Sequence, residues 1–282
     1  MTLIDGKKLA ETITAEVTQH IVDDGVSPQL AVILVGDDPA SHLYVKLKKE
    51  AAARAGIELH TYLLAGDVPE AEVLATIDFL NKDADVDAML IQLPLPKKFD
   101  TQKILDAMDY RKDVDGFHAK NIKRLLAGKE QHIMPGLALA IWTLIASTTA
   151  ENYLNKTALI ISKSDEFAIP LQIILERQTI TATIAKPSDP HLKKLAAAAD
   201  ILISAIGKPC SITADMVKQG GIVIDVGISK EKGKTVGDVD FANVAPKTSF
   251  ITPVPGGVGP MTVAMLLYNT WLLSKERHST NS

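Results

Sequence analysis

The chain has 282 residues, 46% hydrophobic and 23% charged, the make-up of a globular protein long enough for one large core or two ordinary ones. Thirty lysines and arginines stand against 34 acidic residues, a net charge of −4; with no long basic tract and 5% aromatics, nucleic-acid binding is not expected. Cys210 is the only cysteine, which excludes an internal disulfide and a cysteine-built metal cluster.

Met1 to Lys8 lacks the apolar core of a signal peptide, and no segment reaches transmembrane length without charges. No membrane association is expected, and the cytoplasm is the expected compartment. Leu9, Ile13, Val17 and Ile21 recur every four residues and predict an amphipathic helix. Leu30 to Val35 is a continuous apolar run closed by Gly36, the pattern of a buried parallel strand. Ala40 to Ala55 is helical by composition and stops at Gly56. A strand follows over Leu59 to Leu64, then a helix carrying Val73, Ile77 and Leu80, then a strand over Ala88 to Leu93 closed by Pro94. This alternation predicts an α/β domain.

The pattern restarts after a helix predicted over about Leu137 to Ser147. Ala158–Ile161, Thr181–Ile184, Ile201–Ala205 and Ile222–Val226 are short β-branched runs with helical stretches between them, and Phe250-Ile251 is a candidate fifth strand. That rhythm predicts a doubly wound, Rossmann-like sheet. The expected architecture is therefore α/β with two domains, an N-terminal α/β domain and a Rossmann-like doubly wound domain, with a cleft between them as the usual place for a ligand.

Several clusters carry chemistry. Thr252-Pro253-Val254-Pro255-Gly256-Gly257-Val258-Gly259-Pro260-Met261-Thr262 is too dense in proline and glycine for an ordinary turn, and an apolar helical run, Val263 to Leu273, follows it. Fixed φ at the prolines and close approach at the glycines suit the floor of a flat-ligand site. Tyr44 and Lys48 are one helical turn apart and share a face. The turn Gly36 to Pro39 puts the start of their helix at the carboxyl edge of the sheet, where α/β proteins bind ligands. Gln92 lies at the end of another strand on that edge, either satisfying a loop amide or holding Lys48. Asp113-Val114-Asp115-Gly116 sets two carboxylates in a turn. Two acids are too few for a metal site, and one of them suits an Asx-turn.

These residues also carry a resemblance. Thr252 to Thr262 is similar to the signature of the bifunctional methylenetetrahydrofolate dehydrogenase/methenyltetrahydrofolate cyclohydrolase family. Four further segments match in the family's order: Val35 to Ser41 leading into Tyr44, Val45 and Lys48; Gln92 to Pro96; Lys112 to His118; and Asp225 to Ile228 with Gly237 to Asp240. The resemblance spans nearly the whole chain. It implies a folate-binding domain of residues 1–138 plus 262–282 and an NAD(P)-binding domain of residues 139–261. It implies that Tyr44 stacks on the aminobenzoyl ring, that Lys48 is the central catalytic residue, that Gln92 orients it, and that Asp115 contacts the pterin. Ser41, Leu93, and Pro255, Gly256, Gly257, Val258, Gly259, Pro260, Met261 and Thr262 would complete the substrate site. It implies a homodimer, tetrahydrofolate derivatives as ligands, NADP as cofactor and no metal.

The cofactor region departs from the family pattern Gly-Arg-Ser-x-x-Val-Gly-x-Pro. The aligned stretch is Ser162-Lys163-Ser164-Asp165-Glu166-Phe167-Ala168-Ile169-Pro170, without either glycine. Asp165 and Glu166 fall at the helix N-terminus where the pyrophosphate of a dinucleotide sits. At an effective dielectric of about 20, like charges at ~4 Å cost on the order of 4 kcal/mol, roughly a thousandfold in affinity. A second phosphate segment reads Lys186-Pro187-Ser188-Asp189, and Gly207 and Ile228 match the nicotinamide side. The candidate cofactor residues are thus Ser162, Lys163, Ser164, Lys186, Pro187, Ser188, Gly207 and Ile228. Three functions remain open on this reading: oxidation of 5,10-methylenetetrahydrofolate followed by hydrolysis to the 10-formyl form, the cyclohydrolase alone with a weakened or lost dehydrogenase, or a non-catalytic folate-binding dimer partner. The intact Tyr44, Lys48, Gln92 and Asp115 set argues against the last.

Overall fold

The computed structural model describes residues 1–129, 133–148, 153–231 and 233–280. In chain order its elements are β1 (Thr2–Leu3), α1 (Gly6–Asp24), β2 (Gln29–Val35), α2 (Pro39–Ala55), β3 (Glu58–Leu64), α3 (Glu70–Lys82), β4 (Ala88–Ile91), α4 (Thr101–Asp106), α5 (Ala119–Leu126) and α6 (Gly136–Ala146). There follow β5 (Thr157–Ser162), α7 (Asp165–Arg177), β6 (Thr181–Ala185), α8 (Leu192–Ala198), β7 (Ile201–Ala205), β8 (Ile222–Asp225), β9 (Ser229–Glu231), β10 (Lys234–Val236), α9 (Phe241–Val244), β11 (Phe250–Ile251) and α10 (Val258–Thr280). The chain divides into two compact units. One contains Met1–Glu11 and Leu137–Thr262; the other contains Thr12–Gly136 and the residues from Val263 on.

In the unit containing Thr12–Gly136, β3, β2 and β4 form a parallel sheet in that order. Leu30 to Val35 are buried without a break because β2 is the central strand and is covered on both faces. Val73, Ile77 and Leu80 on α3 recur at helical spacing, are fully buried, and pack with Ile33, Met89 and Ile91. α2 starts sharply, with Asp38 as its N-cap and Pro39 in the first turn, and stops at Gly56, which takes φ 81°. A parallel bridge between Met89 and Asp113 extends the sheet on the β4 side. It brings the segment after Asp113 to the same carboxyl edge as the start of α2 and the end of β4.

The C-terminal helix joins this unit through Trp271. Its ring stacks on His20 at 4.5 Å and its Nε1 donates to Asp24 at 2.9 Å, while Lys275 pairs with Asp24 at 3.0 Å.

The other unit contains a six-stranded sheet in the order β1-β11-β8-β7-β5-β6, in which every pairing is parallel, and a separate antiparallel pair, β9 and β10. The chain moves outward from β5 to β6, then returns to place β7 on the other side of β5. The strand order therefore reverses between β5 and β7, the switch point of a doubly wound sheet. Leu159, Ile161, Leu202, Val223 and Ile251 belong to one apolar cluster on this sheet.

One sequence expectation needs correction. The N-terminal residues, expected in the first domain, pack as Met1–Glu11 in the compact unit that contains Leu137–Thr262. Thr2 and Leu3 pair in parallel with Phe250 and Ile251, and Ile4 N donates to Ile251 O at 2.9 Å. A two-residue edge strand leaves no periodic signal for sequence reading to detect.

Candidate active site

Lys48 is held on α2 by an unusually well-determined start. Asp38 Oδ2 accepts from both Ser41 N and Ser41 Oγ at 2.8 Å. Ser41, expected in the substrate site, is 3% exposed and donates its hydroxyl to this cap. Lys48 Nζ donates to Gln92 Oε1 at 2.9 Å. Gln92 is fixed in turn: its Nε2 donates to Leu93 O at 2.7 Å and its backbone N to Ile33 O at 2.9 Å. With the amide nitrogen tied down, the side-chain oxygen faces the lysine. Tyr44 presents a largely exposed aromatic ring one turn away on α2.

The two acids of the 113–116 turn have separate jobs. Asp113 is buried and accepts from Gly116 N at 3.0 Å, His118 N at 2.8 Å and Asn121 Nδ2 at 3.0 Å. It is the turn-forming residue. Gly116 takes φ +77° with Pro135 packed where a side chain would stand. Asn269 on α10 ties the turn from another side, donating Nδ2 to Val114 O at 2.9 Å and to Met134 O at 3.0 Å. Among the described residues, no hydrogen bond is made to the Asp115 carboxylate. Its oxygens are left for something else.

The electrostatics bind Lys48 and Asp115 into one system. Burial pushes Asp115 up to about 6; the Lys48 ammonium opposes this and the Asp113 carboxylate adds to it. Burial lowers the pKa of Lys48, with Asp115 opposing. The neutral amine is therefore more accessible near neutral pH than in a solvated lysine.

The proline- and glycine-rich loop belongs to the other unit. Its helix starts earlier than expected, at Val258 rather than Val263. Val258, Gly259, Pro260, Met261 and Thr262 thus form the first turns of α10. Val258 and Met261, counted above with the substrate residues, are 6% and 0% exposed and contribute to packing. Pro255 and Gly259 are exposed, and Gly256 takes φ +107°. Gly257 is buried, with Pro253 O and Thr252 Cβ where a side chain would be.

Sequence reading missed Gly6. Lys7 N donates to Gly256 O at 3.0 Å, and a Cβ on Gly6 would land on the carbonyl of Gly257. Gly6→Ala is expected to destabilise the protein by about 1–3 kcal/mol, because the clash is with backbone. A thermal midpoint unchanged from wild type would overturn that reading of the contact.

At the β5–α7 turn, Ser162 replaces a family glycine without opening the turn. Its Oγ donates to Ser164 O at 3.1 Å and accepts from Ser164 N at 3.0 Å. Ser164 is the N-cap of α7, accepting from Phe167 N at 3.2 Å. Asp165 forms an ion pair with Lys186, whose Nζ also donates to Lys163 O at 3.3 Å. Ser164 Oγ donates to Glu166 at 2.7 Å and holds that carboxyl below its usual range. The repulsion expected from two bare carboxylates is therefore reduced. Asp165 is paired and its side chain is 60% exposed, so screening removes most of the thousandfold penalty.

Pro187 and Ser188 follow β6, and Ser188 is exposed. Gly207 takes φ +71° with open space around it, and Ile228 is 51% exposed. A dinucleotide fits this unit in part. The switch point, the start of α7 and two lysines suit its phosphates, but Lys186 and Ser164 are already engaged by carboxylates.

Among the described residues, no group of three or more His, Cys, Asp or Glu is placed to hold a metal ion. Among the described residues, no helix is long and apolar enough to cross a membrane.

Residues 4–115 match the catalytic-domain profile of the tetrahydrofolate dehydrogenase/cyclohydrolase family, and residues 135–278 match its NAD(P)-binding-domain profile. The bifunctional protein FolD of a Sulfurovum species is 43% identical over 286 aligned positions, covering 98% of this chain and 100% of that protein. The crystal structure of the bifunctional enzyme FolD, a methylenetetrahydrofolate dehydrogenase/cyclohydrolase, from Campylobacter jejuni superposes with a TM-score of 0.94 at 41% identity, covering 98% of this chain and 99% of that one. The Trypanosoma brucei dehydrogenase-cyclohydrolase, complexed with NADP cofactor and an inhibitor, gives 0.92 at 30% identity, covering 100% and 99%. With both domain profiles matched in order and relatives similar over nearly their full length, the chain belongs to the tetrahydrofolate dehydrogenase/cyclohydrolase family.

Proposed function

We propose that the protein is a bifunctional enzyme of folate one-carbon metabolism. It oxidises 5,10-methylenetetrahydrofolate to the 5,10-methenyl form with NADP and hydrolyses that product to 10-formyltetrahydrofolate. The observation that carries the reading is Lys48, desolvated, 2.9 Å from an anchored Gln92 oxygen and beside the open Asp115 carboxylate.

In the hydrolysis, neutral Lys48 takes a proton from water as the oxygen attacks the methenyl carbon. The cationic substrate disfavours a second positive charge nearby, which keeps the amine neutral. The carbinol adduct then collapses. Its C–N5 bond breaks, its hydroxyl proton passes to N5, and the formyl group stays on N10; one proton is released overall. Asp115 accepts paired N–H groups from the pterin edge, and Tyr44 offers its ring to the aminobenzoyl group.

When bound, NADP supplies the hydride acceptor for the oxidation. In this reading Lys163, Ser164, Lys186 and Ser188 would hold its phosphates, and Gly207 and Ile228 its other end. The reading assigns the folate ligand to the unit containing Thr12–Gly136 and the cofactor to the unit containing Leu137–Thr262. It includes a homodimer working in the cytoplasm without a metal. Assays of both steps on the purified protein test it. Absence of methenyl hydrolysis would overturn it.

The Lys186–Asp165 pair favours a second reading, in which the dehydrogenase step is weakened by poor cofactor affinity. The double substitution Asp165→Asn and Glu166→Gln is expected to tighten NADP binding by about three- to tenfold at low salt, in line with exposed ion pairs worth up to ~1 kcal/mol each. The gain should shrink at high salt. Calorimetric titration measures it. A wild-type dissociation constant that the substitution leaves unchanged at both salt concentrations would sink the second reading.

A further inference from the structure

Asp225-Val226-Gly227 and Gly237-Asp238-Val239 take no direct part in the chemistry above, yet both carboxylates are buried, Asp225 at 4% and Asp238 at 0% exposure. Among the described residues, no lysine, arginine or histidine forms an ion pair with either. Carboxylates in that position persist only where hydrogen bonds replace water.

Asp238 Oδ2 accepts from Ser204 Oγ at 2.8 Å and Ile206 N at 2.6 Å, and its Oδ1 from Lys208 N at 2.9 Å. Asp225 Oδ1 accepts from Gly227 N and Asp238 N, both at 3.0 Å, and its Oδ2 from Val239 N at 2.9 Å. Apart from the Ser204 hydroxyl, these donors are all backbone amides. Asp225 N itself donates to Thr252 Oγ1 at 2.8 Å. The glycines make the arrangement possible. A Cβ on Gly227 would land on the Asp238 carboxylate, and one on Gly237 on the Asp225 carboxylate.

If fold stability alone were at stake, apolar packing would hold these strands at lower cost. Buried carboxylates do something packing does not: they dictate the direction of individual N–H groups. The segments they dictate are the loops after β7 and β8. β7 flanks β5 across the switch point, and ligands of doubly wound sheets lie over the strand ends there. A dinucleotide with its phosphates at the start of α7 presents its other end to these loops.

We propose that Asp238 and Asp225 are positioning residues for the oxidation step, fixing the loop backbones so that Gly207 and Ile228 meet the nicotinamide end of the cofactor in one geometry. The inference rests on the proposed dehydrogenase activity. It concerns residues that touch neither substrate nor cofactor.

The test compares wild type, Ser204→Ala and Asp238→Asn as full-length proteins. Ser204→Ala removes one of three donors to Asp238 and leaves the backbone pairs. Asp238→Asn points an amide NH2 at a backbone N–H. Loss of geometry rather than of binding predicts that kcat for oxidation falls about three- to tenfold in the first and about a hundredfold or more in the second, with smaller changes in KM for NADP. Hydrolysis of the methenyl substrate, which needs no cofactor, should stay within about twofold. Amide exchange at Ile206 and Lys208 should accelerate at least about tenfold while β2 and β5 amides stay protected.

If Asp238→Asn does not fold, Ser204→Ala carries the test. Unchanged oxidation kcat in a wild-type-like background, or exchange that accelerates evenly throughout the unit, overturns the positioning role and leaves the proposed function standing. A wild-type protein that oxidises methylenetetrahydrofolate with neither NADP nor NAD overturns both.

Discussion

Lys48→Met is expected to lower methenyl hydrolysis by about a hundredfold or more, the usual scale for losing a general acid–base group, while folate binding changes little. Methionine nearly matches the lysine stem in length and carries no titratable amine. One cost is that Gln92 Oε1 loses the donor now 2.9 Å away. Against this, the protein no longer has to hold an ammonium in a site whose burial lowers its pKa. The two effects oppose each other, so the thermal midpoint should hardly move. Stopped-flow loss of methenyl absorbance, with a separate folate-analogue titration, reads chemistry and binding independently. Near wild-type hydrolysis in the purified variant would remove Lys48 from the mechanism.

The second large effect is at Asp115. Asp115→Ala should raise the dissociation constant of a folate analogue by about ten- to a hundredfold, the value of a charge-assisted paired hydrogen bond of roughly 1.5–3 kcal/mol. The wild type should show a matching pH dependence. Its carboxyl is pushed from 3.8 up to about 6, so binding should weaken about tenfold per unit as pH falls below 6. The stability term has the opposite sign. A carboxyl whose folded pKa lies above its unfolded value contributes stability that is fully present below 3.8 and is lost as pH rises through about 6. Loss of binding between pH 6 and 5 therefore cannot be attributed to unfolding driven by this group. At neutral pH the alanine variant should be no less stable than wild type. Normal analogue binding by the variant would refute the pterin contact, and a collapse of its thermal midpoint would show that Asp115 is structural.

Much of this was legible in the sequence because it rests on local rules. The four-residue spacing of Tyr44 and Lys48 put them on one face, and the short apolar run Leu30 to Val35 closed by Gly36 read as a buried parallel strand. The roles of Asp113 and Asp115 were not separable from spacing alone. Which carboxylate closes the turn depends on the amides of Gly116 and His118 and on Asn121. The pairing of Asp165 was not legible for a similar reason. Its partner Lys186 lies on the next strand's exit, and no local pattern reports that pairing. The start of α10 was placed five residues late because Gly259 and Pro260 read as loop residues. Pro260 sits in the helix's opening turn, where its missing N–H has no partner to lose.

The pairing of Thr2 and Leu3 with Phe250 and Ile251 has a consequence for how the molecule is made. Proteins emerging from the ribosome usually complete one domain before the next. Here the first strand synthesised waits for the last of the described strands, and both compact units are discontinuous in sequence. Residues 12–136 emerge without the Trp271 helix that packs on His20. The six-stranded sheet cannot close its β11 edge from residues 137–262 alone, and an unpaired edge invites self-association. Neither unit is a contiguous cassette that could be excised or exchanged between relatives at a single junction. A chimera that transplants the cofactor-binding half needs its own first eleven residues as well.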